Sequence, residues 1–445
     1  MKKITLLLTL LFTTFLGAMA EDFKPVEGAK YLIKCKGDSK FVLWNESCVK
    51  SKDDNTNILS NWGQFDYRSL FTIEGNATDG YYFRSVKDNT RYIYAINTDN
   101  NQDGNVGVKV VSGTPDADCK WKIVQNGDGW NIVAFAADGN GSWNNRGSYG
   151  GNAHVGTWNS NNNANNIWYI QTPEDLVNSI ATSTETGKIN TAYTAAATAA
   201  ANTFTTSGKE ADFTAFKTAY NNKASYVNLS TGYYRLKSSQ TDGNGENNSV
   251  FNGTYLFTDI VNYPNVAKTL ANVPLDEAKA KNNYVWKITR GELPSATVGI
   301  VNGQGKGVNN GTNYNTINLG LSDYYTTGAI YFTQGLHISN QSHLTVGGTK
   351  NASAEATRSN PFTMTGWAYT DSKGSAYIFE PVSMDGVTAY TVNVTGAEGY
   401  VTLNSTNEVA MNGGFFLLSS APTVSDFTAK ALDGYDVTVT IAENT

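Results

Sequence analysis

A phrase of the form aromatic-x-apolar recurs along the chain at nearly constant spacing, and a period of this length decides the architecture before any local reading does. It occurs as Phe71-Thr72-Ile73, Trp121-Lys122-Ile123 and Trp168-Tyr169-Ile170, in steps of 50 and 47 residues. A weaker series comes after it as Trp286-Lys287-Ile288, Ile330-Tyr331-Phe332 and Tyr377-Ile378-Phe379, in steps of 44 and 47. The openings repeat too. Lys30-Tyr31-Leu32-Ile33, Gly80-Tyr81-Tyr82-Phe83 and Gly129-Trp130-Asn131-Ile132 precede the first three closures, and Gly232-Tyr233-Tyr234-Arg235-Leu236-Lys237 starts the second series. Three similar lobes, twice over, imply two pseudo-threefold units.

Between these marks the chain reads as short strands, at 30–35, 41–44, 69–74, 81–86, 92–96, 106–111, 121–124, 130–135 and 168–170. Alternation of β-branched and aromatic residues, broken by Asn, Asp and Gly clusters, is the strand signal. Strands at this density without intervening helices predict a barrel or sandwich, here over 21–172. Thr172-Pro173-Glu174-Asp175 then supplies a capping hydroxyl, a proline at the first helical position and acids in the first turn. An alanine-rich stretch and the capping box Ser207-Gly208-Lys209-Glu210 extend a helical connector over 173–227. Phe213, Phe216 and Tyr220 share one helix face. That stripe either packs against the sister helix or lines a groove for a coenzyme or partner. The second barrel is expected at 228–382, with an insertion at 263–281 in which Pro274-Leu275-Asp276-Glu277-Ala278 suits a short helix. Strands at 389–394, 400–403, 415–418 and 435–441, with Asn412-Gly413 as a turn, predict a small β-sandwich-like module over 383–445. The expected class is mainly β, with two threefold barrels joined by a helical hairpin or bundle.

Residues 1–20 carry Lys2 and Lys3, an apolar run over 4–16, and Gly17-Ala18-Met19-Ala20, the pattern of a cleaved export signal too short to span a membrane. The expectation is a secreted or cell-surface protein without membrane insertion. A net charge of −6 with no basic run argues against nucleic acid. Aromatics at 12% and charged residues at only 16%, with abundant Asn and Gly, suit loops that touch neutral polar ligands. In an exported protein Cys35 and Cys48 could bridge one hairpin and leave Cys119 unpaired; three buried thiols are the alternative.

Several chemistries fail on context. Gly303-Gln304-Gly305-Lys306-Gly307 comes after an apolar run, but Val308-Asn309-Asn310-Gly311-Thr312, next in the chain, cannot start the helix that a phosphate loop needs. His337 and His343 flank a hairpin turn, which separates them, and no C-x-x-C occurs, so neither metal nor cofactor is expected. With His154 as the remaining histidine and no G-x-S-x-G, a serine triad has no frame, and the acids form no recognisable glycosidase pair. The chain is expected not to be an enzyme.

The closing-strand tryptophans and the threefold period resemble the ricin B-type β-trefoil lectins over 22–171, and a second, more divergent copy over 230–382. That resemblance implies four strands per lobe, a six-stranded barrel capped by three hairpins, and a Gln-x-Trp signature in each closing strand. Trp121, Trp168 and Trp286 match the tryptophan, whereas the glutamine positions hold Cys119, Asn166 and Tyr284. The domain order is also similar to non-catalytic regions of secreted bacterial glycan-degrading proteins, sialidase-like ones included, so an associated hydrolase is an implied partner.

A sugar site needs an aromatic face for the ring and amides or carboxylates for the hydroxyls. The third lobe of the first unit supplies Trp143, Asn144, Tyr149, His154 and Trp158 in a Gly-rich setting, lobe one supplies Trp44 and Asn45, and lobe two supplies Asp99. Trp143 or Trp158 is expected at the ligand, with plugging of the barrel's open end as the other reading. Asp38 and Asp88 stand roughly where the family's ligand acid follows the first strand, in turns where a local role competes. The expected function is glycan recognition by a non-catalytic lectin-like protein. The alternatives are the targeting region of a secreted glycoside hydrolase or a protein-binding adhesin or scaffold.

Overall fold

The computed structural model describes residues 22–44, 57–62, 64–96, 98, 105–137, 141–146, 154–159, 162–238, 254–261, 267–275, 281–305, 308–309, 318–319, 327–332, 336–340, 342–346, 362–367, 377–395, 399–431 and 436–444. The expected export signal lies outside them. The chain divides into two compact units, 1–181 with 194–221, and 182–193 with 222–445.

In the first unit, lobe one holds β1 (Tyr31–Cys35), β2 (Phe41–Trp44), β3 (Asn57–Trp62) and β4 (Leu70–Asn76). Lobe two holds β5 (Gly80–Ser85), β6 (Arg91–Ala95), β7 (Val106–Val110) and β8 (Trp121–Asn126), and lobe three β9 (Gly129–Ala134), β10 (Ser142–Asn145), β11 (Val155–Trp158) and β12 (Trp168–Gln171). The outer strands of the lobes pair in a closed ring, β1 to β4, β4 to β5, β5 to β8, β8 to β9, β9 to β12 and β12 back to β1. The inner pairs of each lobe form hairpins. Closure leaves this ring without an edge strand. A six-stranded ring with three hairpins is a β-trefoil.

The aromatic-x-apolar phrase has a physical meaning here. Phe71, Trp121 and Trp168 are all in the core, and each buried indole takes about 150–250 Å² from water, worth about 4–6 kcal/mol as an upper bound. The indole N–H of Trp121 donates to the Ile93 carbonyl at 3.2 Å, and that of Trp168 to the Trp143 carbonyl at 3.1 Å. Each closing tryptophan therefore ties its barrel strand to the hairpin of its own lobe. Lobe one has Phe71, which cannot donate. At the threefold axis the lobe-opening aromatics Tyr31, Tyr81 and Trp130 form a cup, and Phe23 fills it, with ring centroids 5.9, 5.9 and 5.4 Å away.

Three helices come next, α1 (Pro173–Asn178), α2 (Thr191–Ser207) and α3 (Glu210–Asn221). Thr172 caps α1 through a reciprocal box with Asp175, and Pro173 takes the first turn. The stripe on α3 meets both its sister helix, with Phe213 at 4.9 Å from Phe204, and Phe65 of lobe one.

The second unit contains a trefoil with the same pairing graph. Its strands are β13 (Gly232–Ser238), β14 (Thr254–Val261), β15 (Ala267–Pro274), β16 (Val285–Arg290), β17 (Thr297–Asn302), β18 (Val308–Asn309), β19 (Asn318–Leu319), β20 (Thr327–Phe332), β21 (Leu336–Asn340), β22 (Ser342–Val346), β23 (Phe362–Trp367) and β24 (Tyr377–Pro381). The ring runs β13, β16, β17, β20, β21, β24 and back to β13. The hairpins are β14 with β15, β18 with β19 and β22 with β23. Trp286 repeats the tie, donating to the Leu256 carbonyl at 3.3 Å. The stretch expected as an insertion with a helix instead holds β15, which pairs with β14 along its whole length; residues 276–280 lie outside the described set.

The remaining strands are β25 (Thr388–Thr395), β26 (Gly399–Leu403), β27 (Val409–Met411), β28 (Gly414–Leu418), β29 (Phe427–Ala431) and β30 (Thr438–Glu443). They form two three-stranded sheets, β28-β25-β30 and β27-β26-β29, around a core that includes Val392, Val401, Leu403 and Phe416. The start of the glycine run that is similar in sequence to a phosphate loop, residues 303–305, docks this module on its trefoil; residues 306–307 lie outside the described set. The Gly303 carbonyl accepts from the Phe415 N–H at 2.8 Å and the Gln304 carbonyl from the Met411 N–H at 3.0 Å. Gly305, at φ +86°, comes so close that a Cβ there would lie 2.5 Å from the Gly414 nitrogen. Gly303 and Gly305 serve close backbone approach.

Candidate functional site

Strand alternation sends one side of each capping hairpin of the first trefoil inward and the other outward. The inward residues Val42, Trp44, Ile93 and Trp143 belong to the core. Cross-strand register makes the three hairpins comparable, with Phe41 paired to Trp62, Tyr92 to Lys109, and Ser142 to Trp158. In lobe one these positions are apolar and buried at Phe41 and Leu43. In lobe two Tyr92 and Tyr94 join a cluster with Tyr82, Ile96, Val111 and Cys119. Lys109 sits 4.9 Å over the Tyr94 ring and pairs with Asp116 and Asp118 at 3.0 and 2.8 Å. In lobe three a half-exposed tryptophan, Trp158, and a half-exposed amide, Asn144, lie on the two strands of the hairpin.

The Arg146 guanidinium lies 4.7 Å from the Trp158 ring centroid and donates to the Thr157 carbonyl at 2.6 Å. Asn144 donates through its amide to the Asn166 side chain. Asn166 is fully buried and donates in turn to the Asn159 carbonyl at 2.9 Å, while its own carbonyl accepts from Asn131 at 2.8 Å. The buried Asn166 side chain therefore orients the half-exposed Asn144 amide. The guanidinium covers one face of the indole, which leaves the opposite face for the apolar side of a polar ring, with the oriented amide and the guanidinium as donors to its substituents.

Trp143 is not at this surface. It is 0% exposed, with ring centroids 5.3 Å from Phe83 and from Trp121 and 5.9 Å from Trp168. Its Asn- and Gly-rich neighbourhood suggests a loop, but strand alternation turns it inward. Trp44 is also a core residue, donating to the Ser85 hydroxyl at 2.7 Å. His154 is buried, and its carbonyl accepts from the Arg146 N–H at 3.1 Å. Asn45, Asp99 and Tyr149 lie outside the described residues.

Cys35 is a buried free thiol that donates to the Ala164 carbonyl at 3.8 Å; Cys48, its expected bridge partner, lies outside the described residues. Burial pushes the Cys119 thiol up to about 12. Both acids that stand after first strands are held in hydrogen bonds within the protein. For Asp38 burial alone would raise the pKa, but hydrogen bonds from the Lys40 N–H and the Asn145 amide outweigh it and hold the carboxyl below its usual range. Asp88 is lowered chiefly by the Thr90 hydroxyl. The bond from Asn145 to Asp38 joins lobe three to lobe one, and no local sequence signal announces it.

Among the described residues no group of three or more His, Cys, Asp or Glu is placed to hold a metal, and no helix is long and apolar enough to cross a membrane.

No family model matches the chain, and no curated protein sequence matches it. Among solved structures it is similar to a mosquitocidal holotoxin, at 12% identity and a TM-score of 0.36, over 93% of this chain and 42% of the toxin's length. It is also similar to ThreeFoil, a designed threefold-symmetric protein, at 15% identity and a TM-score of 0.26, over 32% of this chain and 98% of that one. The Rhizoctonia solani agglutinin matches at 14% identity and a TM-score of 0.27, over 34% and 99%. At these scores the fold rests on the strand pairing itself.

Proposed function

We propose that the chain is an exported, non-catalytic carbohydrate-binding protein whose first trefoil engages glycans through the outer face of the lobe-three hairpin. The observation that carries this reading is the grouping of Trp158, Asn144 and Arg146 on that face. The indole takes the C–H face of a neutral sugar, which loses little side-chain entropy in doing so, and the amide and guanidinium donate to its hydroxyls. Such a surface is shallow, so single-site affinity is weak and useful binding comes from several sites on one polymeric or clustered glycan.

A glycan array probed with the full chain and with Trp158→Ala tests the reading. Signal for the wild type that falls about tenfold or more in the variant, about 1.4 kcal/mol, is expected. Absence of glycan signal, or signal untouched by the substitution, sinks it. Cleavage of a glycosidic bond by the pure protein overturns the non-catalytic part alone.

A further inference from the structure

The three hairpins of the first trefoil are equivalent in register, yet one of them is covered. Phe41, the lobe-one counterpart of Ser142, packs against Phe65 at 4.9 Å between ring centroids. Phe65 is itself enclosed by Phe213, Phe216 and Tyr220 of α3, at 5.7, 5.8 and 5.4 Å. Polar contacts fix the same helices at the same edge. Tyr67 donates its hydroxyl to the Gly208 carbonyl at 2.7 Å, in the turn between α2 and α3, and Lys87 pairs with Glu210 at 2.5 Å.

We propose that the α2–α3 hairpin is the permanent internal occupant of lobe one, so that the first unit takes ligand through at most two of its three lobes. The restriction on ligand rests on the glycan-binding reading; the occupancy does not. Two features separate this from incidental packing. The contact is aromatic on both sides, and Phe65, Phe213 and Phe216 are all under 3% exposed, so the surface is dry and costly to open. On the first strand of the lobe-one hairpin, Phe41 and Leu43 carry no hydrogen-bonding side chain where lobe three has Ser142 and Asn144. Without its helical cover lobe one would expose Phe41 and Phe65 as an apolar patch, whereas Asn144 and Trp158 of lobe three are already half-exposed.

Native-state hydrogen exchange on the full chain tests the occupancy directly. Amides of α3 should exchange within about tenfold of those in β1 and β4, because helix and barrel open as one unit. Phe216→Ala should speed exchange in α3 while the fold, read by circular dichroism, is retained. Exchange in α3 about a hundredfold or more faster than in β1 and β4 would mean that the hairpin lifts off in the native protein, and it would overturn the proposal. The ligand count has its own check. In titrations with lactose-bearing neoglycoprotein, Trp62→Ala at the lobe-one counterpart should leave binding unchanged while Trp158→Ala weakens it. Loss of a binding equivalent with Trp62→Ala refutes lobe-one closure, whereas absence of all binding, on the array as well as in the titration, with slow α3 exchange refutes only the glycan reading.

Discussion

Phe23 provides the sharpest test of the threefold architecture. Its ring occupies the cup formed by Tyr31, Tyr81 and Trp130, one residue from each lobe. It is 9% exposed, the Tyr81 hydroxyl donates to its carbonyl, and the Tyr31 hydroxyl accepts from the Val26 N–H at 2.8 Å. Truncating a buried phenylalanine to alanine costs about 3–5 kcal/mol when the site cannot collapse. Three edge contacts of about 0.5–1.5 kcal/mol each account for part of that sum. The segment lies at the rim and can relax, so the lower end applies, about 3 kcal/mol for Phe23→Ala. For a unit of this size that corresponds to a fall in Tm of roughly 6–12 °C. Chemical denaturation of the full chain, followed by tryptophan fluorescence, reads the first unit through Trp121, Trp143 and Trp168. Phe23→Leu should recover part of the loss by restoring volume without the ring geometry. A loss below about 1 kcal/mol for Phe23→Ala would mean that the cup is closed without its plug, and the assignment of Tyr31, Tyr81 and Trp130 to a common receptor would be wrong.

Other expectations concern the second unit and the thiols. Gly303→Ala would place a methyl carbon 2.5 Å from the Asn282 carbonyl oxygen, which is backbone and cannot swing away. A loss of about 1–3 kcal/mol in the second unit, measured by denaturant titration, is expected. Arg290 is buried and donates to the carbonyls of Ala224, Ser225, Val227, Leu229 and Ser295, so Arg290→Met should cost about 3 kcal/mol or more and lower the Tm of the second unit. With its pKa raised by burial from 9.0 to about 12, Cys119 keeps its proton in the folded state while the unfolded chain ionises above pH 9. Its contribution to stability is therefore present below pH 9 and declines above it, and iodoacetamide at about pH 8 should label Cys119 only after denaturant is added. Mass spectrometry of the labelled peptide decides this, and fast labelling of native protein would show the thiol to be accessible.

The barrels were legible because their signal is periodic and inward-facing. Phe71, Trp121 and Trp168 must be large and apolar to close a lobe, and their spacing records the lobe length. The capping box at Thr172 was legible because it is local. Three things were not. Phe23 lies far in sequence from two of its three partners. β15 carries Ala267, Lys268 and Asn272, which conceal a strand that its pairing with β14 imposes. Trp143 and Trp158 share one composition-based neighbourhood, and only the register of β10 with β11 tells the inward one from the outward one.

That last distinction explains where function could diverge in such a fold. Inward positions of the three hairpins, Val42, Ile93 and Trp143, differ in size but all remain apolar, because each must seal the same barrel. Outward positions are free of that demand, and they have gone three ways: apolar Phe41 and Leu43 under a helical cover, Tyr92 and Tyr94 beneath a lysine pinned by two acids, and Ser142 and Asn144 beside Trp158. A repeat signature read from closing strands therefore reports the fold and is silent about ligands. On the proposed reading, binding would be decided at alternate positions of the hairpins, where a shift of one residue exchanges an outward side chain for a core one.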